Sequence, residues 1–155
     1  MHSMECSFTG RKARQILTWL GAAEHHLATR VTRLLKGADL PFAQFVILDH
    51  LASLPGETWT VSRLAALLDT GQPGVSKIMR RLAAKGLVAV EADPADRRVK
   101  HHTLTAAGRA AHGDASRRLA PQAEELFTGW QQEHVDALHA LLYKLKTSLR
   151  NPPPG

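Results

Sequence analysis

Residues 71–105 read GQPGVSKIMRRLAAKGLVAVEADPADRRVKHHTLT, and this stretch decides the fold. Apolar residues recur at helical spacing over 75–82, and Gly86 follows as a helix stop signal. Two β-forming runs, 87–92 and 99–104, are joined by a segment whose proline and aspartates favour a turn. The stretch therefore predicts a helix followed by a β-hairpin with a charged tip.

A second short helix is predicted just before this one. Thr60 is a candidate N-cap for an apolar-striped helix over 61–68, and Asp69-Thr70-Gly71 forms a tight turn after it. Two short helices joined by a glycine-containing turn are typical of a helix-turn-helix, and a hairpin after them forms a wing. We therefore expect a winged helix-turn-helix, a DNA-binding domain, over 41–105.

Longer amphipathic helices are predicted on either side, over 11–36 and within 106–149, where Pro121 is a candidate interruption. Their apolar stripes exceed what the small winged module can cover, so both regions are expected to form a homodimer. The fold class predicted is mainly α with a small β-hairpin wing (α+β), and the proline-rich tail 150–155 is expected to fray. The stripe consists of Ile16, Leu20, Leu27, Val31, Leu138, Leu141, Leu142, Leu145 and Leu149.

Positive charge is concentrated in one part of the chain. The net charge is +6 and the isoelectric point about 10.0. Residues 72–118 hold ten basic and four acidic side chains, whereas the remainder of the chain is balanced. A contiguous basic surface suits a polyanion, because neutralising phosphates releases counterions and supplies most non-specific affinity for nucleic acid. The pattern predicts binding to double-stranded DNA, with a merely solvated basic face as the alternative.

The exposed side chains of the second short helix are of the types that contact base edges and phosphates in a major groove. The contacts predicted in this recognition helix are Gln72, Ser76, Lys77, Arg80 and Arg81. At the wing tip, Arg97 and Arg98 can enter a minor groove, where narrow A·T-rich sequence attracts arginine. Asp96 is expected to orient a neighbouring guanidinium.

The chain resembles the MarR family of bacterial transcriptional regulators in the runs 71–77 and 81–88, the tip Asp93-Pro94-Ala95-Asp96-Arg97-Arg98, and the following Leu104-Thr105 and Gly108. The specific part is the tip, followed six residues later by Leu-Thr and then by Gly. The resemblance covers nearly the whole chain, since the family also has long helices around its winged module. It implies a dimer built from the first and last helices, a pseudo-palindromic operator, and often repression relieved by a small ligand or oxidant.

Three positions depart from the family pattern. Gly74 lies where Thr, Ser or Ala is more usual, which weakens the start of the recognition helix by up to ~1 kcal/mol. It also removes a candidate phosphate or base contact. His101 and His102 replace the usual aliphatic residues of the second wing strand. We expect them to be polar edge-strand residues, with a less rigid or pH-sensitive wing as the alternative.

A small aromatic or anionic effector is expected to bind between the dimer helices and the winged module. Trp19 and Phe45 are candidate lining residues, although large apolar residues on helices are more often core or dimer contacts. Cys6, expected just before the first helix, is the alternative redox trigger, although no nearby cation in the sequence strongly lowers its thiol pKa. A metal-responsive regulator is a further alternative. The histidines considered for it are His25, His26 and His112.

Other functional classes find little support in the sequence. It has no apolar run near the ~18 to 20 residues of a membrane span, no nucleophile elbow, no phosphate-cradling glycine loop and no metal-ligand spacing. We therefore expect no enzymatic activity, no cofactor, no metal and no membrane partner. The single cysteine and the absence of a signal-peptide pattern predict a cytoplasmic protein. An architectural or partner-binding winged helix without sequence specificity stays open as an alternative.

Overall fold

The computed structural model describes the backbone of residues 2–150 and the side chains of residues 10–150. Within that part, six α-helices and one antiparallel β-hairpin follow in the predicted order, and the expected fold class is confirmed. A 3-10 turn at Lys36–Ala38 links the first two helices. The elements are α1 His2–Leu35, α2 Phe42–Ser53, α3 Val61–Leu67, α4 Gln72–Ala84, β1 Val88–Ala92, β2 Lys100–Leu104, α5 Ala106–Leu126 and α6 Gln132–Arg150.

The core lies inside the winged module, where α2, α3 and α4 contribute its most completely buried side chains. Leu48, Leu64 and Leu82 are fully inaccessible to solvent. Of the α1 side chains that the structure describes, those of residues 10–35, only the last turns join this core, where Val31 and Leu35 are buried. Val31, which we expected in the dimer stripe, therefore packs within its own chain because the end of α1 rests on the module.

The helix-turn-helix forms as predicted. The Thr60 side chain caps α3 by accepting a hydrogen bond from the Arg63 backbone N–H at 3.2 Å. Asp69 takes a left-handed conformation (φ 52°) that turns the chain towards α4, and Gly86 (φ 70°) follows the end of α4. These turns begin and end the recognition helix α4. Its angle is fixed because its apolar face, including Val75, is buried in the core.

The hairpin β1–β2, called the wing below, pairs Val88 with Leu104 and Ala92 with Lys100. Each strand begins one residue later than predicted. Beyond the wing, the Thr105 hydroxyl accepts a hydrogen bond from the Gly108 N–H at 3.0 Å and donates one to the Gly86 carbonyl at 2.8 Å. The Leu-Thr-x-x-Gly pattern thus fastens the start of α5 to the end of the recognition helix.

Several predicted boundaries were wrong. α1 begins at His2 rather than Arg11, so the backbone of Cys6 lies inside the helix and not before it, while its side chain falls outside the described residues. α5 runs through Pro121 without interruption. Arg150, assigned to the frayed tail, ends α6, and residues 151–155 of that tail are outside the described part of the chain.

Candidate nucleic-acid interface

The recognition helix presents polar side chains on the face opposite its buried stripe. Val75 and Met79 are each 1% exposed. Lys77 and Arg80 lie on the opposite face, three residues apart, and both are exposed. Of the other predicted contacts, Gln72 and Arg81 are exposed and Ser76 is half-buried. All five predicted side chains therefore reach solvent on α4, and their contacts with DNA stay predictions.

A third backbone segment supports the wing. Trp59, in the loop before α3, pairs with His102 of β2: the Trp59 N–H donates to the His102 carbonyl at 2.9 Å, and the His102 N–H donates back at 2.8 Å. His102 is only 5% exposed, and its Nδ1 donates to the Trp59 carbonyl at 3.0 Å. The expectation of a polar edge-strand residue was wrong for His102, because Trp59 covers that edge of the strand.

Hydrogen bonds within the wing tip order its turn. Asp93 accepts bonds from the N–H groups of Ala95 at 2.8 Å and Asp96 at 3.1 Å, and its other oxygen contacts His101 Nε2 at 2.8 Å. The His101 hydrogen bond, followed by those two backbone N–H groups, holds the pKa of Asp93 below its ordinary value. The Asp96 carboxylate accepts from the Arg98 backbone N–H at 2.9 Å, whereas we expected it to orient a guanidinium.

α4 and the wing enclose a groove of about 420 Å³ with the start of α3. It brings together three predicted residues, Gln72 and Ser76 from α4 and Arg98 from the wing. Arg97, Lys77, Arg80 and Arg81 lie outside this groove. Three polar lining residues were not among the predicted contacts: Thr60, Ser62 and Lys100. Lys100 could have been found from the basic stretch, and the two hydroxyls from their place at the start of the helix preceding α4.

The cations around this groove differ from three other cations of the basic stretch, which have partners within the chain. Lys85 donates to the Asp39 carbonyl at 2.7 Å and so ties the end of α4 to the turn after α1. Arg117 and Arg118 both pair with Asp114. Among the residues whose side chains are described, no carboxylate lies within ion-pair distance of the cations on α4 and the wing. Those cations are Lys77, Arg80, Arg81, Arg97, Arg98 and Lys100.

A larger cleft, of about 910 Å³, separates the helix-turn-helix from the long helices. Leu20 of α1, Ala65 of α3 and several leucines of α6 form its apolar walls. At its rim, Asp69 in the turn before α4 pairs with Lys146 at 3.4 Å and with Arg150 at 2.8 Å. The cleft thus joins an apolar interior to a cluster of one carboxylate and two cations.

The two predicted effector residues have different surroundings. Trp19 is 64% exposed on α1. Phe45 is half-buried on α2 and stacks on His112 of α5, with ring centroids 5.6 Å apart. Neither belongs to the described lining of the large cleft, although Leu20, the neighbour of Trp19, does. Their part in effector binding stays a prediction.

The histidines considered for a metal site have other partners. His112 Nε2 contacts Asp49 at 2.8 Å, and the rings of His25 and His26 meet edge to face at 5.8 Å. Among side chains 10–150, no group of three or more His, Cys, Asp or Glu is placed to hold a metal ion. Over the same described chain, no helix has the length and apolarity to cross a membrane.

Comparisons with known proteins agree with this geometry. A family model described as "MarR family" matches residues 38–99. The solved structure of Bordetella bronchiseptica BpsR, whose DNA binding is regulated by 6-hydroxynicotinic acid, is 27% identical with a TM-score of 0.74, covering 83% of this chain and 91% of that one. The transcriptional repressor CouR, bound to a 23-mer DNA duplex, is 26% identical with a TM-score of 0.72, covering 82% and 89%.

A complex of Staphylococcus aureus MepR with DNA shares the fold at 23% identity, with a TM-score of 0.78 over 85% of this chain and 96% of that one. A search of curated proteins finds no match. The family model covers the helix-turn-helix and most of the wing, and the solved structures extend the likeness to the long helices. The winged module, over residues 38–99, matches the MarR family of transcriptional regulators, and the chain as a whole has the fold of that family.

Proposed function

We propose that the protein is a cytoplasmic, sequence-specific DNA-binding repressor that reads its operator with α4 in a major groove and the wing in an adjacent minor groove. The observation that carries this proposal is the convergence of α4 and the wing on one groove, surrounded by cations without carboxylate partners among the described residues. Those cations are available for phosphates, and the fixed angle of α4 presents its polar side chains to base edges. MepR and CouR, which share the fold, are both solved with DNA.

The position of a side chain on this surface indicates whether it reads bases or binds phosphates. Lys77 lies at the centre of the exposed face of α4, whereas Arg98 lies on the wing. Replacing a base-reading side chain of α4 costs ~1 to 3 kcal/mol and relaxes preference at one operator position. Replacing a phosphate-binding side chain weakens all duplexes alike and lowers the salt slope by about one. We assign Lys77→Ala to the first class and Arg98→Ala to the second, with Arg117→Ala as the control because Arg117 pairs with Asp114 on α5.

Dimerisation through α1 and α6 belongs to the proposal. Large apolar side chains on these helices stay exposed in the single chain, including Ile16 at 50%, Leu141 at 63% and Leu149 at 65%. Exposed apolar residues spread along two helices are typical of a surface that a second subunit covers. Two-fold symmetry then matches a pseudo-palindromic operator with half-sites about one helical turn, roughly 10 bp, apart.

Control by a small effector is the last part of the proposal, and the cleft of about 910 Å³ supports it. An aromatic or aliphatic carboxylate has an apolar body for the walls and an anion that competes with Asp69 for Lys146 and Arg150. Occupancy would thereby loosen the turn before α4 from α6. To weaken DNA binding a hundredfold, the effector must prefer the non-binding arrangement by about 2.7 kcal/mol, and operator DNA must weaken effector binding equally.

Selection of bound sequences from a random duplex pool tests the proposal. A symmetric consensus is expected, and insertion of five base pairs at its centre should abolish tight binding because one half-site then faces the far side of the duplex. Binding without a consensus, with equal affinity for random duplexes at every salt concentration, would favour an architectural role instead.

The effector is sought by measuring operator affinity with a panel of aromatic acids. The same measurement on a Cys6→Ala variant, with and without peroxide, tests the alternative redox trigger. Affinity unchanged by every acid and by peroxide would indicate a constitutive DNA binder.

A further inference from the structure

One side chain of the second wing strand is tied to the wing tip. Asp93 lies just beyond β1, and its carboxylate bonds in two directions. One oxygen accepts the N–H groups of Ala95 and Asp96, and the other contacts His101 Nε2 at 2.8 Å. Because an ionised carboxylate only accepts hydrogen bonds, Nε2 carries a proton and donates it. His101 therefore anchors, from β2, the carboxylate that orders the tip.

Further hydrogen bonds connect this carboxylate to the backbone of Arg98. Asp96, whose N–H is held by Asp93, accepts a hydrogen bond from the Arg98 N–H at 2.9 Å. The Val99 N–H donates to the Asp96 carbonyl at 2.9 Å, and the Asp93 N–H donates to the Val99 carbonyl at 3.0 Å. The chain of bonds runs from His101 to the backbone of Arg98, so a loose Asp93 would leave Arg98 on a mobile loop.

The geometry points to His101 as a positioning residue that holds the wing tip in the conformation from which Arg98 contacts DNA. This inference rests on the proposed function, since it needs a wing that docks. His101 is about one-third exposed, and its side chain need not touch DNA to act in this way. The register places Glu91 of β1 opposite His101, so Glu91 is a second carboxylate beside His101 in addition to Asp93.

Two substitutions of His101 distinguish the effect of its hydrogen bond from the effect of its side-chain volume. His101→Gln keeps a donor at nearly the place of Nε2, whereas His101→Leu keeps an apolar body and removes the donor. In the free protein, NMR order parameters of the Ala95, Asp96 and Arg98 amides should be near those of rigid backbone, about 0.85. We expect them to fall below about 0.6 in His101→Leu and to recover in His101→Gln. Unchanged order parameters in His101→Leu would overturn the inference.

Measurements of DNA affinity then test whether the His101–Asp93 hydrogen bond acts through Arg98. His101→Leu should weaken operator binding about tenfold in the natural chain, the effect of losing one hydrogen bond to a charged group. In an Arg98→Ala background the same change should have little effect, because the side chain being positioned is absent. An equal loss in both backgrounds would mean general destabilisation and would overturn the positioning role. Glu91→Gln is the matched control and should not weaken binding.

The two measurements also separate this inference from the proposed function. If Arg98→Ala leaves operator affinity unchanged while the tip amides still respond to His101→Leu, the wing is ordered by His101 but does not dock. The proposed wing contact, and with it the role of His101 in DNA binding, is then wrong. If Arg98→Ala weakens operator binding and the order parameters of the tip amides do not change in His101→Leu, the wing contacts DNA and His101 has no positioning role.

Discussion

Replacing Gly108 by alanine should destabilise the protein, although alanine is the better helix former. A Cβ atom at this position would lie 2.1 Å from the Leu87 carbonyl oxygen and 2.6 Å from Leu104 Cδ1. The carbonyl cannot move freely, because it accepts the Thr105 N–H at 3.2 Å. Overpacking costs ~1 to 3 kcal/mol and a weakened hydrogen bond about 1 kcal/mol, against a gain in helix propensity of up to ~1 kcal/mol. The expected net loss is therefore about 1 to 3 kcal/mol.

Urea unfolding measures this loss, at a fixed protein concentration because the apparent stability of the proposed dimer would depend on it. The midpoint should fall while the slope stays the same. Gly113→Ala, in the same helix, is the matched control: the nearest atom to its added Cβ is the end of the flexible Arg117 side chain at 3.5 Å. That variant should gain up to ~1 kcal/mol. A Gly108→Ala protein as stable as Gly113→Ala would refute the steric argument.

Three further predictions concern α4, α6 and the wing. Gly74→Ala should stabilise the protein by ~0.5 to 1 kcal/mol in urea, since no atom lies within 4 Å of the added Cβ, and a lower midpoint would count against this. Leu141→Glu should reduce the sedimenting mass from about twice 17.0 kDa to 17.0 kDa. The control Leu67→Glu, at an exposed position on α3, should stay dimeric. A dimeric Leu141→Glu protein would exclude α6 from the interface. The hydrogen bond from His101 lowers the pKa of Asp93, so it stabilises the folded protein at pH values above 3.8, the ordinary pKa of this carboxyl. That stability is lost as the pH falls through the lower pKa of Asp93 in the folded protein. In an NMR titration His101→Leu should move the pKa of Asp93 towards 3.8, and identical values in both proteins would contradict the tie.

Helix order and type were predictable because the signals are local. The caps Thr60 and Thr105 lie next to the helices they begin, and the apolar period of α4 appears within thirteen residues. Boundaries were less predictable. The start of α1 was placed at Arg11 because apolar spacing begins after it, yet the helix extends back to His2. Pro121 was a candidate break, but the helix accommodates it.

The sequence by itself determined the winged helix-turn-helix, the basic surface and the tip, since periodicity, turn residues and charge are properties of neighbouring residues. Only the tertiary structure decided the partners of individual side chains: Lys85 with Asp39, 46 residues apart, and His102 with Trp59, 43 residues apart. No spacing rule reports such pairs, because they depend on how the wing and α4 pack against segments that precede them. For the same reason Lys85 was counted with the DNA-facing charge although it holds α4 to the turn after α1.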